Sequence, residues 1–245
     1  MRTGVFVQVR LGSTRLPRKA MLSLPGGSVI QHVMRALAAV PADVRALLTD
    51  EQSLAVLRPV GETEGWVVAP GPAEDVLARY CNACRELDVQ RVIRATGDNP
   101  LTSASLARSI IEVHESEHAD LSHYLGCPWG TGVEVVEASA LLAAERVARL
   151  QDEREHITTY LYRHPEEFRI VEPQAPPFAN LPEGRVTVDT ADDYDRARRI
   201  FAALYRGSPI EIEELVAWLR REEICAPRES CDECAPKGRR GDVNA

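Results

Sequence analysis

The stretch VFVQVRLGSTRLPRKAML, Val5–Leu22, decides the fold and raises the first functional question. Its apolar beginning, within Gly4–Val9, predicts a buried β-strand. The loop that follows brings four cations together with two small residues: Arg10, Gly12, Ser13, Arg15, Arg18 and Lys19. Because the chain carries a net charge of −8, this basic cluster is local and needs a cause of its own.

A strand that leads into a Gly-containing turn exposes backbone N–H groups, which bind phosphate oxygens well. Gly12 permits close approach of a ligand, while Ser13 and Thr14 add hydroxyl donors. Arg15 and Lys19 supply positive charge. The loop matches neither the GxxxxGK[ST] pattern nor the GxGxxG pattern. The residues alone therefore leave two interpretations open, a phosphate site and a solvated basic turn.

Composition narrows the class of protein. The 245 residues, 44% hydrophobic and 27% charged, are typical of one globular domain with a sizeable core. The acidic balance argues against nucleic-acid binding, and no apolar run approaches the length of a membrane span. The apolar run Val5–Val9 is too short for a signal peptide. We expect a cytoplasmic protein that binds neither nucleic acid nor membrane.

Five of the six cysteines form two groups. Cys81 and Cys84 fall on the apolar stripe of a predicted helix, Asp75–Leu87, which predicts buried thiols rather than a metal or redox pair. Three more, Cys225, Cys231 and Cys234, lie near the C-terminus without a fourth local ligand for zinc. We predict a disordered tail over residues 222–245.

Short β-rich runs alternate with helical segments, which is the pattern of an α/β sheet. The predicted strands are Gly4–Val9, Arg45–Thr49, Trp66–Ala69, Val89–Ala95, Ala119–His123, Gly132–Val136 and Val186–Val188. The first predicted helix begins at Ser28, where Gln31 completes a capping box. The other predicted helices cover Asp75–Leu87, Leu106–Val113, Ala138–Leu150, Glu153–Arg163, Thr190–Gly207 and Ile212–Arg221.

Two carboxylates follow predicted strands. Asp98 stands in a Gly-Asp-Asn-Pro turn after the fourth strand, and Asp189 follows Val186–Val188. Ligands bind at the carboxyl ends of parallel strands, so Asp98 is expected to face the basic loop. Two carboxylates plus substrate phosphates are a usual ligand set for Mg²⁺. The alternatives are an ordinary turn at Asp98 and a helix cap around Asp189.

Several segments together resemble one enzyme family. The N-terminal stretch resembles the start of the sugar-acid cytidylyltransferases, which are the deoxy-manno-octulosonate and acylneuraminate enzymes. It is most similar to the spore-coat-polysaccharide cytidylyltransferase-like family. Further segments resemble the family's motifs and follow in the same order as in the family, from Val5 to about Leu219: GGSVIQHVMRAL, GPAEDVLARY, VIRATGDNPL, GVEVVEASALL, DEREHITTYLYRHPEEF and VTVDTADDYDRAR.

The resemblance implies a three-layer α/β/α nucleotidyltransferase over residues 1–221, similar to GT-A and Rossmann-like folds. It also implies a mostly parallel sheet, a small dimerisation insert and a homodimer. CTP is the implied co-substrate, Mg²⁺ the implied cofactor and a small molecule the acceptor. The implied nucleotide contacts are Arg10, Leu11, Gly12, Ser13, Arg15, Lys19, Arg94, Thr96 and Gly97. The implied catalytic residues are Arg15, Lys19 and Asp98, the metal ligands Asp98 and Asp189, and the acceptor contacts Glu134, Glu155 and His156.

The implied reaction is attack of an acceptor oxygen on the α-phosphate of CTP, with release of pyrophosphate. The acceptor is a sugar acid, or else a phosphorylated or phosphonate compound. Two departures from the family pattern stand out: Arg18 replaces a usual Gly, and Gly132 replaces a usual acidic residue. Three alternatives stay open, namely a nucleotidyltransferase that uses GTP or another base, a GT-A glycosyltransferase and a non-catalytic binding module. Structural readings of Glu134 and His156 as surface residues also stay open.

Overall fold

The central strand is the apolar run that opens the chain, and the computed structural model describes residues 1–225, with side chains up to residue 222. The strands are β1 Thr3–Gln8, β2 Ser23–Leu24, β3 Gly27–Ser28, β4 Val44–Asp50, β5 Val67–Gly71, β6 Arg91–Thr96, β7 Leu121–Ser122, β8 Glu134–Glu137 and β9 Ile170–Val171. The helices are α1 Val29–Ala38, α2 Glu51–Thr63, α3 Val76–Glu86, α4 Ala104–Ser116, α5 Ala138–Val147, α6 Gln151–Glu155, α7 Thr159–Arg163, α8 Ala191–Leu204 and α9 Ile212–Cys225.

Seven strands form one sheet in the order β5-β4-β1-β6-β8-β7-β9. β1 pairs in parallel with both β4 and β6, and β4 pairs in parallel with β5. β8 runs antiparallel to β6, with Glu134 opposite Arg94. The sheet is therefore mostly parallel, which confirms the predicted fold class.

Helices cover both faces of this sheet, because β1 alternates its buried side chains between them. Phe6 packs on one face with Tyr80 of α3 and Leu141 of α5. Val7 packs on the opposite face with α1, α2 and α4. A further apolar cluster joins α8 and α9 to the segment before α8, including Val188. The three-layer α/β/α architecture is confirmed.

The predicted caps are present. Gln31 Oε1 accepts the backbone N–H of Ser28 at 2.9 Å at the start of α1. At the start of α8, Asp193 Oδ2 accepts the N–H of Thr190 at 2.9 Å, and Thr190 Oγ1 accepts that of Asp193 at 3.2 Å. These local bonds explain why both helix starts were visible in the sequence.

Three predictions need correction, and helix α2 and strands β2, β3 and β9 were not predicted. The helix predicted over Glu153–Arg163 is two short helices, α6 and α7, separated at His156, whose backbone is extended (φ −109°, ψ 92°). The strand predicted at Val186–Val188 is an extended segment without a ladder, joined by single backbone bonds. Helix α9 continues to Cys225, past the predicted end at Arg221.

Cys81 and Cys84 are buried on the inner face of α3, as predicted. Burial raises the pKa of the Cys84 thiol to about 12, and it raises that of Cys81 as well. The predictions for Cys231 and Cys234 lie outside the described residues, and α9 ends at Cys225. No helix within residues 1–225 is both long and apolar enough to cross a membrane.

Candidate active site

The site begins where β1 and β6 end together. Gly97 N donates to Gln8 O at 2.8 Å, which continues the β1–β6 ladder just past both strands. A Cβ on Gly97 would lie 2.7 Å from Val9 Cβ, so only glycine permits this approach. The close contact brings the next residue, Asp98, beside the basic loop, as the sequence predicted.

Lys19 joins the two predicted carboxylates. Its Nζ lies 2.6 Å from Asp98 Oδ2 and 2.6 Å from Asp189 Oδ1. Burial acts to lower the pKa of Lys19, but the charge of Asp98 and the hydrogen bonds to both aspartates outweigh it and raise that pKa. Lys19 therefore binds a carboxylate that lies 170 positions away in the sequence.

Asp189 is held from several sides. Val188 N donates to Asp98 O at 3.0 Å, which aligns the segment before α8 with the turn after β6. Arg185 lies 2.8 Å from Asp189 Oδ2, and Arg15 lies 3.3 Å from Oδ1. Burial acts to raise the pKa of Asp189, but Lys19 above all, then Arg15 and Arg185, bring it below its ordinary value.

A cleft of about 380 Å³, here the nucleotide cleft, opens between the basic loop and the strand ends. The predicted residues that line it are Arg10, Gly12, Ser13, Arg15, Lys19, Thr96, Gly97, Asp98, Glu155 and His156. Glu155 lies 3.8 Å from Arg10, beside the basic loop, and its predicted role as an acceptor contact stays a prediction.

Two predicted nucleotide contacts lie elsewhere. The backbone N–H of Leu11 donates to Ser53 Oγ at 2.9 Å, and this anchors the loop to α2. Arg94 lies in a second cavity, where it pairs with Glu134 at 2.8 Å. Arg18 is exposed and does not line the nucleotide cleft.

The second cavity, here the acceptor cavity, measures about 510 Å³. It shares four residues with the nucleotide cleft: Gln8, Thr96, Asp98 and His156. The two spaces therefore meet at the turn after β6. Gly132, where the family usually has an acidic residue, also lines this cavity.

Glu134 organises one wall of the acceptor cavity. It accepts hydrogen bonds from Arg94, from Thr158 Oγ1 at 3.2 Å and from the Tyr162 hydroxyl at 3.2 Å. The same hydroxyl lies 2.9 Å from His123 Nδ1. Burial acts to lower the pKa of Arg94, but the charge of Glu134 outweighs it and raises that pKa. This wall is thus a neutralised polar network, and Glu134 is not an exposed strand residue.

Two polar atoms on another wall lack partners. Asn99 Oδ1 and Thr187 Oγ1 are buried without a hydrogen bond from any of the described residues. They lie close together, since a Cβ on Gly130 would be 2.9 Å from Thr187 Cγ2 and 3.3 Å from Asn99 Oδ1. Trp129 lines the same cavity and is 68% exposed.

Sequence reasoning missed several of these residues. Arg185 could have been found from the sequence, because it is a basic residue four positions before Asp189. Arg79 lines the nucleotide cleft yet is hidden within the amphipathic pattern of α3. Asn99 and Trp129 lie in turns whose packing the sequence pattern does not show.

Comparison with known proteins identifies the family to which this fold belongs. A family model described as cytidylyltransferase matches residues 5–223. The spore coat polysaccharide biosynthesis protein SpsF of Bacillus subtilis (strain 168) is 29% identical over 234 residues, which cover 93% of this chain and 98% of that protein. A 3-deoxy-manno-octulosonate cytidylyltransferase 2 of Hydrogenovibrio crunogenus is 30% identical over 117 residues, or 45% and 46% of the two chains.

Solved structures agree on the fold. A cytidylyltransferase from Leptospira borgpetersenii superposes with a TM-score of 0.84 at 22% identity, covering 94% of this chain and 99% of that one. The CMP:2-keto-3-deoxy-manno-octonic acid synthetase complexed with CTP superposes with a TM-score of 0.63 at 15% identity, covering 83% and 99%. Because the family match extends from β1 into α9 and includes both cavities, this chain belongs to the cytidylyltransferase family.

Proposed function

We propose that this chain transfers CMP from CTP to a sugar acid or to a phosphorylated or phosphonate acceptor, with release of pyrophosphate. The observation that carries the proposal is the meeting of the two cavities at Asp98. In-line transfer needs a nucleotide and an attacking group on opposite sides of one phosphorus. Two ligand-sized spaces with a common wall fit that requirement.

The triphosphate lies along the basic loop in this proposal. A Cβ on Gly12 would meet no atom within 4 Å, so phosphate oxygens can approach the backbone there. Ser13 and Thr14 add hydroxyl donors beside it. Arg15 is two-thirds exposed and lies 3.3 Å from Asp189, so it is free to turn toward a phosphate. Arg15 and Lys19 then offset the charge that develops on the leaving pyrophosphate.

Asp98 and Asp189 suit Mg²⁺. They supply hard oxygen donors, and one oxygen of each already lies 2.6 Å from the same Lys19 Nζ. When bound there, Mg²⁺ would supply Lewis-acid chemistry at the α-phosphate. Arg185 holds Asp189 Oδ2 at 2.8 Å, which leaves Oδ1 directed at Lys19.

The acceptor cavity suits a polyhydroxylated compound. Asn99 Oδ1 and Thr187 Oγ1 are unpaired within the described part of the chain, and side-chain rotation would bring them to sugar hydroxyls in the cavity. Trp129 adds an exposed aromatic face at the cavity, and aromatic side chains with one wet side are common in binding sites. This chemistry agrees with the sugar substrates named for the relatives, and with a role in polysaccharide biosynthesis. We also propose that the enzyme is a cytoplasmic homodimer, which sedimentation equilibrium would test.

A pyrophosphate-release screen tests the function. The four nucleoside triphosphates are each combined with 3-deoxy-manno-octulosonate, N-acetylneuraminate, sugar phosphates and phosphonates, with Mg²⁺ present. We expect release with CTP that depends on an acceptor. Release with GTP alone would assign a different nucleotide. Transfer of sugar from a nucleotide sugar, without pyrophosphate release, would assign the glycosyltransferase alternative.

A further inference from the structure

One arginine in the nucleotide cleft has no counter-ion. Arg79, on α3, is 3% exposed and lines the cleft near Val76. Its Nε donates to Pro72 O at 3.1 Å and its Nη2 to Ala73 O at 3.0 Å. Among residues 1–222, Nη1 finds no hydrogen-bond partner and no carboxylate pairs with the guanidinium. Nη1 is not one of the fully buried unpartnered atoms, so it is open to the cleft, where a ligand acceptor can reach it.

The nearest carboxylates are already engaged. Asp50 caps α2 by accepting the N–H of Ser53 at 2.7 Å. Asp75 caps α3 and pairs with Arg154. Burial lowers the pKa of Arg79, and the attraction of Asp50 offsets only part of that effect. The free donor of Arg79 is thus directed at a group from outside the chain.

The sheet order tells which part of the nucleotide reaches Arg79. A Cβ on Gly71 would lie 2.8 Å from Arg79 Cγ, so the arginine stem packs against the end of β5. Asp98 follows β6, which is three strands away in the order β5-β4-β1-β6, or roughly 14 Å. The α-phosphate must lie at the Asp98 end, where the two cavities meet. The nucleoside then extends away from the acceptor cavity, toward β5 and Arg79.

We propose that Arg79 is a specificity residue that donates from Nη1 to the acceptor edge of the cytosine base. The inference rests on the proposed function and deepens it. Cytosine presents O2 and N3 as adjacent acceptors. Uracil carries an N–H at position 3, and this donor cannot accept a hydrogen bond from a guanidinium N–H. Arg79 therefore favours CTP over UTP, while its bonds to Pro72 and Ala73 hold the guanidinium in place.

The test compares nucleotide binding by the purified full-length protein. Calorimetry gives the affinities for CTP, UTP and CMP in the wild type, in Arg79→Met and in the control Arg85→Met. Arg85 is exposed on the same helix and pairs with Glu145. We expect Arg79→Met to lose about 10- to 100-fold in CTP affinity while UTP affinity changes less than about twofold. CMP should lose as much as CTP, and Arg85→Met should match the wild type.

Other outcomes overturn the inference. Equal losses for CTP and UTP would show that Arg79 only positions the Pro72–Ala73 turn. A larger loss for CTP than for CMP would assign the guanidinium to the β- or γ-phosphate. If Arg79→Met does not fold, Arg79→Lys gives the same comparison, with a smaller loss of the CTP preference expected. Failure of the wild type to bind CTP would refute the proposed function itself.

Discussion

Arg18 is a position at which this chain differs from its family. It adopts a left-handed backbone conformation, with φ 54°, immediately before Lys19. Glycine, which the family usually has at this position, takes that conformation without a Cβ penalty. We predict that Arg18→Gly raises the free energy of unfolding by about 0.5–1 kcal/mol and leaves CTP turnover unchanged. Urea unfolding and pyrophosphate release measure the two effects.

His118 supplies the control for this prediction. It has φ 49° in the turn before β7, which places it outside both cavities. His118→Gly should give a similar gain in stability, also with unchanged turnover. A fall in turnover in Arg18→Gly alone would show that the Arg18 side chain contributes charge to the triphosphate.

Asp98 is the residue on which the proposed chemistry depends most. Asp98→Asn keeps the size of the side chain and leaves Lys19 paired with Asp189 at 2.6 Å. We predict a loss of turnover of at least about 100-fold with a nearly unchanged melting temperature. The matched control is Asp195→Asn, an exposed carboxylate on α8 that pairs with Arg198. Normal pyrophosphate release by Asp98→Asn would refute the metal-ligand assignment.

The lowered pKa of Asp189 predicts a pH dependence of stability. Although burial acts to raise it, Lys19, Arg15 and Arg185 bring the pKa of Asp189 below its ordinary value of 3.8. A carboxyl with a depressed folded pKa stabilises the protein above its unfolded pKa, and this stability is lost as the pH falls through the folded value. The wild type should therefore lose more stability than Asp189→Asn below pH 3.8. Urea unfolding at a series of acidic pH values checks this, and parallel curves would contradict it.

At the scale of elements, the turn between β6 and α4 couples packing to the site. A Cβ on Gly97 would lie 2.7 Å from Val9 Cβ and 3.0 Å from Ile30 Cδ1. Gly97→Ala should lower the free energy of unfolding by about 1–3 kcal/mol and reduce turnover, because Asp98 moves with it. Gly12→Ala meets open space, so it should keep stability and weaken CTP binding only. Equal stability of the two variants would count against this account of the turn.

The predicted elements agree with the structure where the local sequence signals are strong. Ser28 with Gln31 and Thr190 with Asp193 are short-range capping boxes, and the structure contains both. Helix α2 was missed because Pro59 lies inside it and Gly61 lies one turn from its end. Tertiary packing explains why a glycine lies inside this helix, since a Cβ on Gly61 would lie 2.2 Å from Val68 of β5. Single-helix periodicity over residues 153–163 likewise gave no sign of the break at His156.

At the scale of the whole molecule, the site depends on sheet order. The sequence predicted Asp98 beside the basic loop and Asp189 as a second metal-binding carboxylate, because each follows an extended apolar run. It grouped Glu155 with Glu134 and Arg94 with the basic loop, whereas Glu155 lines the cavity of the basic loop and Arg94 lines the cavity of Glu134. The reason is that β8 pairs with β6 in an antiparallel register, which puts Arg94 opposite Glu134. A long-range pairing of this kind has no local signature in the sequence.

The C-terminal tail is the other whole-molecule question. The family match ends at residue 223, and the proposed site residues lie between Arg10 and Asp189. We predict that a protein ending at Cys225 keeps wild-type kcat and KM for CTP and binds no zinc. Steady-state kinetics and metal analysis of both lengths provide the check. A fall in kcat, or zinc retained by the full-length chain alone, would give residues 226–245 a role.

The bridge that Lys19 forms between Asp98 and Asp189 also affects which anions the resting enzyme attracts. One ammonium and two carboxylates leave this three-residue cluster with a net negative charge, so Lys19 has little attraction left for a small free anion such as inorganic phosphate. A ligand gains most when it brings both a negative group for Lys19 and a positive ion for the two carboxylates. The site should therefore discriminate among ligands by an exchange of partners.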